Sequence, residues 1–389
     1  MQTIDLIATT AFGLESVLAL ELKQLGYTEL RVANGRVDFS ATLQDIVRCN
    51  LWLRTAERVL VRIGEFKALT FDELFERTKA LPWENWIPRD GAFPVDGKSI
   101  RSQLFSVSDC QAIVKKAIVE RLKQKWPVKW FAESGGRYRV EVGLLNDVAT
   151  LTLDTSGSGL HKRGYRDLNA AAPIKETLAA SLISLSRWQA DRPFIDPCCG
   201  SGTIPIEAAM RARNIAPGLN RNFIAEQWGV IPAQTWKRAR EAARAEILQG
   251  LQLGIQAYDI DPAVLKMARH HARRAGVEQD IAFQPRDLAE LSSRYRYGYL
   301  IANPPYGERL DEKHEAELVY RQLGKRFKHL ETWSFYIITP HPNLERFIGR
   351  RADKKRKLYN GRIQCQYYQF YGPKPEQLHG PFGRPTPIS

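Results

Sequence analysis

From about Pro173 onward, short apolar segments alternate with longer segments of helical spacing, and this alternation limits the possible folds more than any other feature. Strands are predicted at residues 194–195, 255–258, 281–283, 299–302 and 334–339, and helices at 203–213, 235–248, 262–275 and 316–329. Strands that alternate with helices are typical of a parallel sheet covered on both faces. A last segment, 358–371, predicts an antiparallel hairpin that turns at Asn360-Gly361. The predicted class is therefore α/β, with a mostly parallel sheet.

The first 155 residues follow a different pattern, which predicts two small α+β units. In the first unit, strands at 4–8 and 36–39 flank a helix that ends at Gly26, and another helix follows at 42–54. In the second unit, helices at 71–79 and 108–125 precede strands at 137–142 and 150–154, which are joined by a turn at Asn146-Asp147. A chain of 389 residues is long for one compact domain, so two or three domains are expected.

The formal charge of +14 predicts a polyanionic partner, since lysine and arginine release counterions from phosphates when they bind. Solubility is the alternative explanation, and composition does not separate RNA, DNA and a ribosomal surface.

No apolar run approaches the roughly 20 residues that span a bilayer, and the first residues lack an export signal. We therefore expect a cytosolic protein with no membrane segment.

The cysteines are few and scattered, at Cys49, Cys110, Cys198, Cys199 and Cys365. They include no C-x-x-C pair and no histidine at ligand spacing, so neither a disulfide framework nor a bound metal is expected. Reduced thiols at these positions are expected to pack as small apolar side chains.

A glycine-rich turn, Asp196-Pro-Cys-Cys-Gly-Ser-Gly-Thr203, joins the first strand of the predicted parallel sheet to its helix. Its glycines allow the backbone to approach a ligand at the carboxyl edge of the sheet. Ile204-Pro205 occupies the stretch in which the dinucleotide fingerprint has its third glycine, so a pyrophosphate cradle is disfavoured. A plain turn without a ligand is the alternative.

Three aspartates follow the next two strands of the predicted sheet. Asp259 ends the second strand, where a carboxylate can accept hydrogen bonds from the two hydroxyls of a ribose. Asp261 is placed to cap the helix that Pro262 starts. Asp287, after the third strand, is placed either to hold the amino group of an adenine or to serve as a loop or cap residue.

The fourth strand ends in Asn303-Pro304-Pro305-Tyr306, a stiff loop at the same edge of the sheet. The Asn303 side-chain oxygen and the Pro304 carbonyl can each accept one N–H bond from a conjugated amino group. These bonds draw the flat nitrogen toward tetrahedral geometry and free its lone pair for attack on a methyl donor. Tyr306 can stack on the base. The turn and the loop together predict a site that methylates a planar nitrogen.

Two basic segments are predicted to contact RNA phosphates. In the first, His161, Lys162, Arg163 and Arg166 flank Tyr165, which can stack on a base, and a solvated linker is the alternative. The second runs from Glu345 to Arg362, with eight Lys/Arg residues against two acids and a solvated face as the alternative. Its candidate contacts are Arg350, Arg351, Lys354, Lys355, Arg356 and Lys357.

The glycine-rich turn followed by the Asn-Pro-Pro-Tyr loop resembles the class I S-adenosylmethionine-dependent amino-methyltransferases. The fuller strings Asn303-Pro-Pro-Tyr-Gly-Glu-Arg-Leu310 and Ala171-Ala-Pro-Ile-Lys-Glu-Thr-Leu178 narrow the resemblance. They are similar to the THUMP-domain RNA guanine-N2 methyltransferases, in particular the branch that acts on large-subunit (23S) ribosomal RNA. Members of this family are often labelled N6-adenine-specific DNA methylases. The resemblance covers nearly the whole chain, including 156–166 and the turn Tyr359-Asn-Gly-Arg362.

The resemblance implies a ferredoxin-like domain at 1–65, an RNA-binding THUMP domain at 66–155, a linker at 156–172 and a Rossmann-like methyltransferase domain at 173–389. It implies S-adenosylmethionine as cofactor, held by Asp196, Cys198, Gly200, Gly202, Thr177, Asp259, Asp287 and Asn303. The catalytic loop implied is Asn303 to Tyr306. Fused bifunctional relatives carry a second methyltransferase domain, which a chain that stops at Ser389 is expected to lack.

The favoured function is methyl transfer to the exocyclic N2 of a guanosine in unassembled or partly assembled large-subunit RNA. Adenine-N6 methylation of DNA or RNA shares the loop chemistry, but a DNA enzyme would normally carry a target-recognition domain, for which the sequence has no candidate. A catalytically silent RNA-binding assembly factor is a third hypothesis, against which the intact Asp196, Asp259, Asn303 and Tyr306 argue. Protein-glutamine methylation uses the same loop and is disfavoured by the positive charge and the RNA-type N-terminal half.

Overall fold

The computed structural model describes residues 3–168, 174–307 and 310–375. Residues 169–173, which include the end of the predicted linker and the Ala171 to Pro173 part of the second motif string, lie outside the described residues, as does Glu308-Arg309 of the extended loop string. The chain forms two compact units. The first contains the residues up to Thr10, Leu18–Leu160 and Arg221–Ala242, and the second contains Ala11–Val17, His161–Asn220 and the residues from Ala243 onward.

The first unit is built on a seven-stranded sheet with strand order β2-β3-β1-β4-β7-β6-β5. Its strands are β1 (Ile4–Thr9), β2 (Leu30–Ala33), β3 (Arg36–Ala41), β4 (Arg58–Lys67), β5 (Val95–Ile100), β6 (Val140–Leu145) and β7 (Val148–Asp154). The helices of this half of the chain are α1 (Glu15–Gln24), α2 (Leu43–Trp52), α3 (Phe71–Lys79) and α4 (Val107–Lys125). All neighbouring strands are antiparallel except β5 and β6.

Strand β4 joins the two predicted α+β units into one sheet, because it pairs with β1 on one side and with β7 on the other. The sequence pattern did not reveal β2, β4 or β5. Val59, Leu60 and Val61 of β4 are buried in succession, so the strand lacks the alternation that marks a half-buried strand. Strand β5, with the sequence Val-Asp-Gly-Lys-Ser-Ile, is a polar edge strand of low strand propensity.

The second unit contains a seven-stranded sheet with strand order β10-β9-β8-β11-β12-β14-β13. Its strands are β8 (Phe194–Asp196), β9 (Ile255–Asp259), β10 (Ile281–Pro285), β11 (Tyr299–Ala302), β12 (Ser334–Thr339), β13 (Lys354–Asn360) and β14 (Ile363–Phe370). The strands from β10 to β12 are parallel, while β14 is antiparallel to β12 and β13. The predicted α/β class and the antiparallel C-terminal hairpin are confirmed.

The later helices are α5 (Glu176–Ser186), α6 (Thr203–Ala212), α7 (Ala233–Ala245), α8 (Pro262–Arg274), α9 (Leu310–His329) and α10 (Leu344–Ile348). Helices α9 and α10 share one buried cluster with Tyr368 of β14. The neighbouring Tyr367 points to the opposite face of the sheet, where its hydroxyl donates to the Leu182 carbonyl of α5 at 2.9 Å. The described residues therefore include helices on both faces, and no described helix is long and apolar enough to cross a membrane.

Residues 221–242 fold with the first unit, although they fall within the methyltransferase domain that the resemblance implied at 173–389. The Trp228 ring stacks on Tyr138 with a centroid distance of 5.2 Å, and its indole N–H donates to the Arg137 carbonyl at 2.9 Å. Phe223 and Trp236 are buried in the same core. These aromatic side chains bury their apolar surface against residues far away in the chain, a contact that no local pattern predicts.

Candidate active site

The glycine-rich turn after β8 depends on backbone conformations that favour glycine. Gly200 and Gly202 have φ angles of 52° and 83°, in the left-handed region. A Cβ at Gly202 would lie 3.0 Å from the Ala268 Cβ, so glycine also allows α6 to begin close against α8. A Cβ at Gly200 would meet no atom within 4 Å. The backbone at Gly200 therefore borders open space at the carboxyl edge of the sheet, where a ligand can approach it.

The Asp259 carboxylate is oriented by two backbone N–H groups. One oxygen accepts from the Gly200 N–H at 2.9 Å, and the other accepts from the Asp261 N–H at 3.1 Å. A carboxylate has about four acceptor positions, so each oxygen keeps one for another donor. The two remaining positions suit the vicinal hydroxyls of a ribose. Asp261 itself caps α8 by accepting from the Ala263 N–H at 2.7 Å, which confirms the predicted cap.

Asp196 and Thr177, two further predicted donor-site residues, are both buried. An Asp196 oxygen accepts from the Cys198 N–H at 3.2 Å and so supports the turn. Burial, together with the nearby charge of Asp259, raises the pKa of the Asp196 carboxyl well above its usual value. Thr177 lies in α5 next to Ser181, which donates to the Thr177 carbonyl at 2.7 Å. A direct contact of either side chain with a methyl donor stays a prediction.

Both thiols of the turn are neutral, and contact of Cys198 with a methyl donor stays a prediction. Burial raises the pKa of both Cys198 and Cys199 well above the usual value, so neither is a thiolate near neutral pH. The Cys199 N–H donates to the Tyr258 carbonyl at 2.9 Å, which ties the turn to the end of β9. Among the described residues, no group of three histidine, cysteine or carboxylate side chains is arranged to hold a metal ion.

Two further residues line the edge near Asp259. Asp287 is exposed, and one of its oxygens accepts from the Ala289 N–H at 2.7 Å. The cap alternative for Asp287 is therefore observed, while contact with an adenine stays a prediction. Ile260, which was not among the predicted site residues, is 73% exposed between two aspartates. Contact of this apolar side chain with a ligand is a hypothesis, and its position at the end of a strand is the sequence signal for it.

On the opposite side of the edge, the Asn303 side-chain oxygen accepts from the Tyr306 hydroxyl at 2.7 Å. That hydroxyl also accepts from the Asn360 amide at 3.2 Å, and the Cys365 thiol lies 3.6 Å away. Burial raises the pKa of Tyr306, which keeps the phenol protonated. An amide oxygen has a second lone pair, so Asn303 can still accept one N–H bond from a substrate. Stacking of the Tyr306 ring on a base stays a prediction.

A second contact holds the Pro305 end of the loop. The buried Tyr320 hydroxyl donates to the Pro305 carbonyl at 3.1 Å and lies 2.8 Å from the Thr339 hydroxyl. Burial raises the pKa of Tyr320 to about 12. Tyr320 and Thr339 carry no sequence signal for this role, while Cys365 was expected only to pack and Asn360 only to form a turn. These residues follow the loop by 15 to 59 positions, and only the folded chain brings them to it.

Two residues of the first predicted RNA-binding segment are structural instead. Arg163 and Tyr165 are only 2% and 1% exposed, and both contact Glu207 of α6, at 3.3 Å in each case. The prediction that they hold RNA is wrong, because a buried cation needs a buried partner and has no surface for a phosphate. Arg166 is half-buried and pairs with Glu176 at 3.2 Å. His161, half-buried, and Lys162, exposed, stay predicted RNA contacts.

The second basic segment includes the edge strand β13. Arg350 pairs with Asp353 at 2.6 Å, and Lys355 pairs with Glu345 at 3.0 Å. Arg356 donates to the Gly13 carbonyl at 3.2 Å and to the Ser16 hydroxyl at 3.3 Å, so its guanidinium holds the 11–17 segment. Its contact with RNA stays a prediction. Arg351, Lys354 and Lys357 are exposed and stay predicted RNA contacts.

The order of the parallel strands, with the oriented carboxylate after β9 and the Asn-Pro-Pro-Tyr loop after β11, is that of a class I methyltransferase. Three family models match the chain. The RMKL-like methyltransferase domain matches residues 163–369, the RlmL ferredoxin-like domain matches 5–60, and the THUMP domain matches 68–154. The chain therefore belongs to the RMKL-like methyltransferase family, as the resemblance implied.

Individual relatives agree with this membership. YpsC of Bacillus subtilis, named as a candidate RNA methyltransferase, is 50% identical over 95% of this chain and 97% of its own length. The ribosomal RNA large subunit methyltransferase K/L of Syntrophotalea carbinolica is 35% identical over 94% of this chain. The match covers 53% of that protein's own length, about half of it. The crystal structure of SMU.472, a candidate methyltransferase complexed with SAH, is 42% identical, covers 97% of this chain and 100% of its own, and has a TM-score of 0.91. The chain is an S-adenosylmethionine-dependent methyltransferase.

Proposed function

We propose that this chain transfers a methyl group from S-adenosylmethionine to the exocyclic N2 amino group of a guanosine in large-subunit ribosomal RNA. When bound, the cofactor supplies an electrophilic methyl group on a sulfonium. The residues of the carboxyl edge fit such a group, because Gly200 borders open space and Asp259 keeps one acceptor position on each oxygen. We assign the ribose to Asp259 and an adenine contact to Ile260 and Asp287.

Methylation of an amino group is supported above all by the position of the Asn303 side-chain oxygen. This oxygen lies in a loop held by the Tyr306 hydroxyl at Asn303 and by the Tyr320 hydroxyl at Pro305. An exocyclic amine is a poor nucleophile because its lone pair is delocalised into the base. An N–H bond to Asn303 and another to the Pro304 carbonyl would orient the amine and localise that lone pair. Once methylated, the nitrogen is acidic and loses its proton readily, so the site needs orientation and desolvation rather than a strong base.

Tyr306 has a supporting role in this proposal. Its hydroxyl donates to Asn303 and accepts from Asn360, so the amide oxygen of Asn303 is presented in one orientation. Because the hydroxyl occupies one lone pair of that oxygen, the substrate amine is limited to the other. Preorganisation of this kind removes the reorganisation that would otherwise accompany catalysis.

RNA as the substrate class is supported by the ferredoxin-like and THUMP domains and by the relatives named for RNA methylation. The choice of large-subunit RNA follows the name of the Syntrophotalea relative, and the choice of guanine follows the resemblance to the guanine-N2 branch. The charge of +14 fits a polyanionic substrate. A substrate of this kind places the protein in the cytoplasm. The target base has to leave its stack to reach Asn303.

The test is transfer of labelled methyl from S-adenosylmethionine to large-subunit RNA from a strain that lacks the gene, followed by nucleoside analysis. Labelled N2-methylguanosine is expected, and the Asn303→Ala protein serves as the control for loop-dependent chemistry. Labelled N6-methyladenosine would overturn the choice of guanine, and label in DNA or protein alone would overturn RNA. Tight RNA binding without label would favour the assembly-factor hypothesis.

A further inference from the structure

A surface cleft of about 370 Å³ between α9 and α10, here called the basic cleft, is lined by four cations and one carboxylate. Arg321, Lys325 and Lys328 follow one another on α9 at spacings of four and three residues, so they share one face of the helix. Arg346 of α10 and Glu317 complete the set. We infer that the basic cleft binds the sugar–phosphate backbone of RNA beside the target nucleotide, an inference that rests on the proposed function.

The basic cleft is a fixed feature of the fold. A Cβ at Gly324 would lie only 2.0 Å from the Phe347 carbonyl oxygen, so α9 and α10 touch at a point where only glycine fits. The Arg321 guanidinium lies 5.1 Å from the centre of the Phe347 ring, close enough for a cation–π contact. Arg321 is therefore positioned by the protein, and its planar guanidinium matches the geometry of a phosphate.

The positive charge of the basic cleft is largely uncompensated. Glu317 lies 3.7 Å from Arg321 and 3.9 Å from His341, both near the limit for an ion pair. In the part of the chain that the structure describes, no carboxylate lies within ion-pair distance of Lys325, Lys328 or Arg346, all of which are exposed. Solvated lysines bind a single small anion weakly, whereas a polyanion that meets several of them releases several counterions. A nucleic-acid backbone is therefore a better occupant than a free phosphate.

One buried residue of α9, Tyr320, connects the basic cleft to the catalytic loop. Tyr320, the residue before Arg321, donates to the Pro305 carbonyl at 3.1 Å, and its ring centre is 5.9 Å from that of Phe347. One residue of α9 thus contacts the loop, and the next lines the cleft. On its other side, α10 leads into the exposed Arg351 of the second basic segment. A strand that offers a nucleotide to Asn303 can therefore place its neighbouring phosphates in the basic cleft.

The experiment compares the full-length protein with the Lys325→Ala/Lys328→Ala/Arg346→Ala variant, using a transcript of large-subunit RNA as the probe. The dissociation constant is measured over a series of KCl concentrations. Three lost phosphate contacts should reduce the slope of log Kd against log salt by about 2, at roughly 0.7 per contact for single-stranded RNA. KM for RNA should rise while kcat at saturating RNA stays near that of the wild type.

The matched control removes the same number of charges from α7, as Lys237→Ala/Arg238→Ala/Arg244→Ala, and should keep the wild-type slope. Equal slopes for the wild type and the cleft variant would overturn the binding of RNA in the basic cleft, even if the wild type methylates guanosine. A reduced slope in a protein that transfers no methyl to RNA would keep the cleft and overturn the proposed function. Failure of the wild type to bind the transcript would overturn both. If the α7 control lost as much of the slope as the cleft variant, the effect would come from net charge alone. The assignment of RNA binding to the basic cleft would then be overturned.

Discussion

On the donor side of the active site, the Asp259 carboxylate is held by backbone N–H groups. On the acceptor side, the Asn303 amide is held by the Tyr306 side chain of its own loop, which Asn360 of β13 contacts in turn. Backbone donors come with the turn itself and survive most substitutions. Side-chain donors such as Asn360 and Tyr320 can be removed one at a time. Donor binding should therefore be robust to mutation around the site, while turnover should depend on several residues beyond the loop.

The largest effect is expected for Asn303→Ala, which removes the oxygen that orients the substrate amine. Loss of one preorganised hydrogen-bonding group of this type costs about 10²–10³-fold in kcat. Affinity for S-adenosylmethionine, measured by calorimetry on the same protein, should change little. A variant that turns over within tenfold of the wild type would contradict the acceptor role, and a large loss of donor affinity would place Asn303 on the donor side.

The next effect is expected for Asp259→Ala, which should weaken donor binding. Hydrogen bonds to a charged group contribute about 1.5–3 kcal/mol each, so loss of one or two bonds to the ribose should raise the donor Kd by about 10- to 10⁴-fold. Asp261→Ala is the matched control, since that carboxylate caps α8 and its loss should cost about 1 kcal/mol of stability with little change in donor Kd. Equal donor affinity in the two variants would refute the ribose assignment.

A smaller effect is expected for Asn360→Ala, which removes the amide that donates to the Tyr306 hydroxyl. A neutral hydrogen bond is worth about 0.5–1.5 kcal/mol, so kcat should fall by about 3- to 10-fold with donor Kd unchanged. The comparison becomes sharper in a Tyr306→Phe background, where the hydroxyl is already absent. If Asn360 acts through that hydroxyl, its substitution should then have no further effect, and additive losses would show an independent role.

The smallest effect is expected for Tyr320→Phe, which removes the hydroxyl that donates to the Pro305 carbonyl but keeps the buried ring. The change should lower kcat by a few-fold, on the scale of one neutral hydrogen bond of about 1 kcal/mol. Thr339→Val is the matched control, because it removes the other partner of the Tyr320 hydroxyl and leaves the loop contact in place. A loss of donor affinity in Tyr320→Phe, with kcat intact, would break the separation of the two sides.

Most features predicted correctly from the sequence lie on contiguous residues. Helix α3 and strands β11 and β12 have the predicted bounds, and Asp261 caps the helix that Pro262 starts. The turn at Gly200 and Gly202 also follows from local sequence, because left-handed φ angles favour glycine. These features depend on periodicity, caps and turns, whose physical causes act over a few residues.

The errors concern residues whose surroundings come from distant parts of the chain. Arg163 and Tyr165 belong to a basic, glycine-rich segment that is typical of a surface linker. Both are nevertheless buried, and both contact Glu207 of α6. Arg356 of the second basic segment also has its observed partners far away in the chain, at Gly13 and Ser16. A count of charges along the sequence does not distinguish an exposed cation from one that is paired inside the folded protein.

The sequence by itself determined the α/β class, the parallel strands, the turn and loop motifs and the family, because these are written in local periodicity and in short ordered motifs. Only the tertiary structure decided that β4 joins two predicted units into one sheet and that residues 221–242 pack with the first unit. It also brought Asn360 to Tyr306 and Arg346 to the cations of α9. The physical reason is that pairing and burial between distant segments depend on which surfaces meet, and a local pattern carries no information about its partner.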